Sequence, residues 1–191
     1  ADGEPKIIDG SAIGTLNSVA DHVADYVLAN FPAVTRCSNA TDACATAYLS
    51  TLAGRAYRRQ LRQDEQARFV ALYNKLRTPQ TVNGYEVTFI VQEATSYAVN
   101  ALLSSPQMLW RWELGDPAMA STSPTGIPLT DQELATQVAF FLTDQPPDDL
   151  LLAAANAGTL RANLPAHVSR ILQTVTARDW LRAVTEVYFR L

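Results

Sequence analysis

Apolar residues recur every three or four positions along almost the whole sequence, and this spacing constrains the fold more than any other feature. It is the period of an α-helix with one buried face, whereas a half-buried strand alternates apolar and polar residues. No convincing alternation of that kind occurs. The first apolar stripe runs through residues 13–27 and ends near Pro32. The sequence therefore predicts an all-α protein, a multi-helix orthogonal bundle followed by a smaller C-terminal helical lobe.

Cap residues and prolines mark where further helices begin and end. Thr41 is placed to cap a second helix, and residues 64–77 form a third that stops at Pro79. The longest helix is expected to begin after Gly84, since the apolar positions that follow it share one broad face.

The C-terminal third has clearer boundaries. Thr130 and Glu133 have the spacing of a capping box, in which the hydroxyl and the carboxylate each accept a backbone N–H at the helix start. Asp148 follows two prolines that stop this helix, and it is expected to cap the next one. Two more helices are expected at residues 165–173 and 177–191.

A proline-rich segment divides the chain into two helical domains. Residues 115–128 hold three prolines among small polar residues and are expected to form a linker. The N-terminal bundle then covers residues 1–114, and the C-terminal lobe covers residues 129–191 and is expected to pack on the bundle. The last helix stays apolar to its end, so further chain or a partner is expected to cover it. The apolar residues there are Val184, Val187, Tyr188 and Leu191.

Charge and hydropathy exclude two broad classes of partner. The chain has 15 basic and 19 acidic residues and a net charge of −4, which disfavours binding to nucleic acid through a basic field. No apolar run approaches the roughly 20 residues that a membrane-spanning helix needs. We expect neither a nucleic-acid partner nor a transmembrane segment.

The two cysteines, Cys37 and Cys44, lie in a loop-like stretch before a predicted helix. They allow a redox-active pair or a structural disulfide. Their spacing favours the structural bond, because reactive dithiols usually have two residues between them. A disulfide indicates an oxidising, extracytoplasmic compartment such as the periplasm or the cell exterior. Two cysteines are too few for a metal site and lack the histidine of a haem motif, so no metal and no cofactor are expected in this chain.

Four arginines have the spacing of one helix face. Arg55, Arg58, Arg59 and Arg62 stand at i, i+3, i+4 and i+7, so a continuous helix would place them on one side, where they can bind an anion. The simpler interpretation is that they lie near a helix C-terminus and pair with Asp64, Glu65 or Glu113.

Two glutamates are predicted to share a face of the longest helix. Glu86 and Glu93 are seven residues apart, a spacing that suits general acid/base chemistry or cation binding. A solvated or arginine-paired face is the favoured interpretation, and Glu113 is a third acidic partner for the arginines. No Glu-x-x-His motif of a metal-binding bundle occurs. No catalytic residue is identified.

Aromatic residues give a third candidate site. Their spacing is typical of core residues, which is the favoured interpretation, but the same residues can form a stacking platform for sugars. That platform requires Trp110 or Trp112 on the surface. The aromatic residues concerned are Tyr97, Trp110, Trp112, Phe140 and Phe141.

Three segments in order resemble motifs of one protein family. GRAYRRQL at residues 54–61 is similar to "RRAYRRPL", and SSPQMLWRWE at 104–113 is similar to "SPxFLYRxE". The segment from Leu129 to Leu151 resembles "ELASRLSYFLWxSxPDxELL". These motifs belong to a family of secreted planctomycete and myxobacterial proteins built from several domains of unknown function. Gln60 and Thr143 depart from the usual Pro and Trp.

The resemblance implies an exported, multidomain bacterial protein, of which this chain is an internal piece or a cleavage product. Some planctomycete relatives carry a c-type cytochrome domain, which implies an association with a periplasmic cytochrome system. The family has no established reaction. Two hypotheses follow. The leading one is a helical binding or scaffold module that associates with the remaining domains or with another chain of the same protein. The other is an extracytoplasmic enzyme, hydrolytic or redox, whose site is shared with domains absent from this chain.

Overall fold

The protein is helical in nearly all of its regular structure. The computed structural model describes residues 10–116 and 126–189. Within these ranges it contains ten helices and one two-stranded hairpin, so the predicted all-α class is confirmed. None of these helices combines the length and the apolar character that crossing a bilayer requires.

The described residues form two compact units. The first contains residues 10–57 and 61–110, and the second contains residues 58–60, 111–116 and 126–189. The predicted domain limits, 1–114, 115–128 and 129–191, stay a prediction. Residues 117–125 of the expected linker, and Leu191 of the last apolar face, lie outside the described residues.

The first unit contains six helices and the hairpin. In chain order these are α1 (Gly10–Ala29), α2 (Phe31–Thr35), α3 (Asp42–Ala56), α4 (Gln63–Arg77), β1 (Gln80–Val82), β2 (Tyr85–Val87), α5 (Val91–Leu103) and α6 (Pro106–Leu109). Its largest fully buried side chains are Tyr73 and Phe31, which share one apolar core with residues of α1, α3 and α5.

Small residues let α1 and α5 pack closely. The buried faces of the two helices are rich in alanine, with Ala20 and Ala24 on α1 and Ala94 and Ala98 on α5. The hydroxyl of Ser96 donates a hydrogen bond of 2.8 Å to the backbone carbonyl of Ala24, so the two backbones are near one another. A larger side chain at such a position would force the helices apart.

The hairpin corrects the predicted start of the longest helix. Residues 80–82 and 85–87 pair antiparallel around the two-residue turn Asn83-Gly84, and α5 begins only at Val91. Both turn residues have positive φ, 51° and 83°, as a type I′ turn requires. An Asn-Gly pair is a strong hairpin signal, but strands of three residues are too short to show a two-residue period.

The second unit contains four helices. They are α7 (Asp131–Thr143), α8 (Asp149–Asn156), α9 (Leu160–Leu172) and α10 (Val175–Phe189). Leu151 and Leu160 are among its fully buried residues and belong to one core that also includes Ala135 and Ala177. Pro165 lies inside α9, not at its start as predicted. It is exposed, removes one helical hydrogen bond, and places its ring against the carbonyl of the preceding turn.

Three predicted caps are present. The Thr41 hydroxyl accepts from the N–H of Cys44 at the start of α3, and the Asp148 carboxylate accepts from the N–H of Leu151 at the start of α8. At α7, the Thr130 hydroxyl accepts from the N–H of Glu133 at 3.2 Å, and the Glu133 carboxylate accepts from the N–H of Thr130 at 2.7 Å.

The Glu133 carboxylate does more than complete this capping box. It also accepts the backbone N–H groups of Leu114 at 2.7 Å and of Gly115 at 3.1 Å. Burial raises the pKa of Glu133, but the hydrogen bonds from Thr130, Leu114 and Gly115 outweigh it, so the net pKa is lowered. The Glu133 carboxylate therefore binds both the start of α7 and the backbone of residues 114–115.

Gly115 permits a close approach at the same place. Its φ is +75°, and a Cβ atom there would lie 2.6 Å from Cγ2 of Ile127 and 2.9 Å from the carbonyl oxygen of Pro128. The neighbouring Asp116 N–H donates to that carbonyl at 2.7 Å. Only glycine fits this conformation without displacing its neighbours.

Replacing Glu133 with Gln is expected to lower the free energy of unfolding at pH 7 by about 1–2 kcal/mol, because hydrogen bonds to a charged acceptor are stronger. The lowered pKa means that the stabilisation by the carboxylate is complete above the ordinary Glu pKa of about 4.3 and is lost as the pH falls below it. Denaturant unfolding between pH 7 and pH 3 measures both effects. Glu86→Gln, on the exposed hairpin, is the control, and equal pH slopes for wild type and Glu133→Gln would contradict the assignment.

Candidate functional site

The predicted disulfide between Cys37 and Cys44 is present. It joins the loop after α2 to the first turn of α3, and its Cα atoms are 6.0 Å apart. Cys37 is buried and belongs to the main core of the first unit, whereas Cys44 is half-buried. Limited access to an exchange partner favours the structural role over the redox one.

A buried tyrosine ties the start of α3 to the end of α4. The Tyr73 hydroxyl donates to the Asp42 carboxylate at 2.7 Å, and Arg77 Nε donates to the same oxygen at 2.7 Å. Arg77 also binds the carbonyl of Phe89, just before α5. Hydrogen bonds from Arg77 and Tyr73 lower the pKa of Asp42, while burial raises the pKa of Tyr73. No local pattern predicts this network, because its members are remote along the chain.

The four predicted arginines do not share a helix, which corrects the expectation of one cationic face. α3 ends at Ala56 and α4 begins at Gln63, so only Arg55 is helical. Arg62 binds Asp64 through Nε at 3.1 Å and Glu65 at 3.3 Å, as the simpler interpretation predicted for this residue. Arg55 lies exposed in the last turn of α3.

Arg58 and Arg59 belong to the second unit. Arg58 is only 8% exposed and has a left-handed backbone with φ of +58°. Burial, followed by the nearby charges of Arg111 and Arg59, lowers its pKa. The guanidinium carbon of Arg111 lies 4.7 Å from the centre of the Phe140 ring, a cation–π contact. The charge of Arg111, a residue that the helical spacing could not select, therefore acts on Arg58.

The three predicted acidic partners occupy different kinds of structure. Glu86 is exposed on β2, and Glu93 lies in the first turn of α5, where its carboxylate accepts the N–H of Ile90 at 2.9 Å. They do not share a helix face, because the helix begins after Glu86. Glu113 is exposed in the extended chain after α6. In residues 10–116 and 126–189, no group of three or more His, Cys, Asp or Glu side chains is arranged to hold a metal ion.

Several aromatic residues favoured as core are instead on the surface. Trp110 is 46% exposed and Trp112 is 52% exposed, and Tyr97 and Phe141 are also exposed. The two tryptophans are exposed because α6 ends at Leu109 and the chain continues from there without helical structure. Trp110 and Trp112 therefore lie on the surface, as a sugar-stacking platform requires.

These features define a class of protein: an all-α chain of two compact helical units, the first with a disulfide that closes the loop before α3. Residues 44–113 match the family PSD5, a protein of unknown function (DUF1595), and residues 129–191 match the family PSD4, a protein of unknown function (DUF1592). The chain therefore contains two domains of unknown function that occur in multidomain bacterial proteins. No curated protein and no solved structure matches the chain.

Reduction of the disulfide is expected to lower the free energy of unfolding by about 2–3 kcal/mol, since the bond restricts the unfolded chain. Denaturant unfolding with and without a phosphine reductant measures the loss. In the Cys37→Ser/Cys44→Ser double variant the reductant should have no effect. Intact mass after thiol alkylation should show no modified cysteine in the untreated protein, and two alkylated cysteines would contradict the bond.

Proposed function

We propose that this chain is a helical binding or scaffold module of an exported multidomain bacterial protein, and that other domains of that protein cover the apolar ends of its helices. The observation that carries the proposal is the exposed apolar end of α10. The two domains of unknown function would then present helical surfaces to neighbouring polypeptide.

The apolar stripe of α10 begins in the core of the second unit. Ala177 is fully buried, and Trp180 is half-buried and donates its indole N–H to the carbonyl of Phe141 at 3.1 Å. Further along the helix the stripe leaves the core, and Val187 and Tyr188 are 81% and 80% exposed. Full burial of such side chains is worth about 1.5–3 kcal/mol each, so covering this end would stabilise a complex.

The first unit has a similar exposed apolar face at the N-terminal end of α1. Ala20, Ala24 and Val27 form the buried stripe of α1, while Ile13 and Leu16, which continue it at helical spacing, are exposed. A face that matches the core in spacing but extends beyond it is typical of a surface completed by another chain segment. Both units therefore support the proposal independently.

The extracytoplasmic location is part of the proposal. The Cys37–Cys44 bond supports it, because disulfides persist in oxidising compartments and are rare in the cytosol. The resemblance to secreted proteins points the same way. Within that location, the partner of the module is the rest of the same protein.

A photo-crosslinking residue at position 188 tests the proposal in the full-length protein expressed in its own bacterium. Tyr188→p-benzoylphenylalanine is expected to crosslink to a peptide of the same protein that lies outside residues 1–191, identified by mass spectrometry. Tyr85→p-benzoylphenylalanine is the matched control, because Tyr85 is 76% exposed on the hairpin. Equal crosslinking from both positions, or none from position 188, would overturn the proposal.

Exposed tryptophans favour carbohydrate binding as a second candidate function. An indole ring on the surface can stack on the apolar face of a sugar ring, and Trp112 is more than half exposed. Trp112→Ala is expected to weaken retention on an insoluble cell-wall polysaccharide at least tenfold. Tyr85→Ala removes an exposed aromatic residue of the hairpin, outside the predicted platform, and serves as control. Retention that is equal for both variants would exclude Trp112 as a sugar-stacking residue.

A further inference from the structure

We propose that Asn83 is a modification site, at which the backbone nitrogen of Gly84 attacks the side-chain amide and converts it to a carboxylate. This deamidation consumes only water. It goes beyond the docking role proposed above, because the turn between β1 and β2 includes no residue of α1 or α10.

The side-chain amide of Asn83 is accessible and is not held by other groups. Asn83 is exposed at the tip of the hairpin. Amides of other asparagines are engaged: that of Asn30 donates to the carbonyl of Tyr26 at 3.0 Å, and that of Asn100 donates to the Asp21 carboxylate at 2.6 Å. Among the residues that the structure describes, none forms a hydrogen bond of this kind with the Asn83 side chain. Its amide carbon is therefore open to attack.

The backbone nitrogen of Gly84 is the attacking group, and it is accessible as well. The strands pair as far as Val82 and Tyr85, so the N–H of Gly84 lies inside the two-residue turn and is not a donor of the ladder. A Cβ atom at this position would meet no atom within 4 Å beyond its chain neighbours. Because glycine has no side chain, nothing at this residue hinders the approach of its nitrogen to the amide carbon.

The reaction also requires the turn to open, because the nitrogen and the amide carbon must come within bonding distance. Each strand has only three residues, and a hairpin of two strands is marginally stable in water. At the tip, Val82 is 46% exposed and Tyr85 is 76% exposed, so packing on the core does not fix the turn. Such a segment opens locally at low cost in free energy while the helices stay folded.

The chemistry proceeds in two steps. In the first, the Gly84 nitrogen loses its proton to a solvent base and forms a bond to Cγ of Asn83. The side-chain nitrogen takes up a proton and leaves as ammonia, and the product is a five-membered cyclic imide. In the second step, water adds to one of the two imide carbonyls and opens the ring. Position 83 then carries either aspartate or isoaspartate, depending on which carbonyl is attacked.

Both products change the hairpin irreversibly. Each adds a negative charge to the turn, on the same strand pair as the exposed Glu86. In isoaspartate the main chain also runs through the side-chain carbon. This lengthens the two-residue turn by one backbone atom and disturbs the pairing of Val82 with Tyr85. The hairpin would therefore change with the age of the molecule, whereas the core of the first unit would keep its structure.

Incubation of the folded chain at pH 8, followed by peptide mapping with mass spectrometry, tests the site. Conversion of the amide to a carboxylate is expected at least tenfold faster at Asn83 than at Asn39. Asn39 is the matched internal control, because it is also exposed in a loop but is followed by Ala40, whose side chain hinders ring closure. The Asn83→Asp variant supplies the standard for one product, and a second peak of equal mass identifies isoaspartate.

The effect on the hairpin is measured by NMR. The amide signals of Val82 and Tyr85 are expected to shift as the wild-type chain is incubated, in proportion to the conversion of Asn83. In Asn83→Gly the same signals should stay constant, because a Gly-Gly pair still forms the turn but has no amide to convert.

Three outcomes would overturn the proposal. The first is conversion of Asn83 in the folded chain that is absent or no faster than that of Asn39. The second is conversion of Asn83 only in urea, which would show that the folded hairpin protects the amide. The third is an equal rate at pH 6 and pH 8, because the nitrogen attacks only after it has lost its proton.

Discussion

The helices of this protein are short, and the fold depends on contacts that fix their ends. A helix of 13 to 15 residues, such as α4 or α7, is only marginally stable alone in water. Thr130 and Glu133 fix the start of α7, and Asp148 fixes that of α8. At α3, the disulfide, the Thr41 cap and the Asp42 network all act within the first turn. These contacts fix where the helices begin, and packing of their apolar faces supplies most of their stability.

The docking proposed for α1 and α10 depends on the hydrophobic effect. The apolar ends of both helices would bind by removing hydrocarbon from water, a force that depends weakly on salt. An association of this kind is expected to persist at high ionic strength, where contacts between charged surfaces are screened.

Patterns among residues close in sequence predicted helix starts, whereas contacts between distant residues could not be predicted. The caps at Thr41, Thr130 and Asp148 were confirmed, because each depends on residues within one turn of the next. The prediction of a cationic helix face was wrong because no glycine or proline follows Ala56, where α3 ends. The helical spacing of the arginines continues across this break. The exposed Trp110 could not be foreseen, since its exposure depends on where α6 ends. The effect of Arg111 on the pKa of Arg58 connects residues that are distant in sequence, which periodicity cannot reveal.

The hydrogen bond between Asp116 and Pro128 has a consequence for the length of chain that can connect them. It holds the two edges of the segment 117–125 together, and Gly115 and Ile127 pack tightly beside it. The free energy needed to close a loop grows only with the logarithm of its length. Residues inserted or deleted between those edges are therefore expected to have little effect on α7, provided that Gly115 is kept.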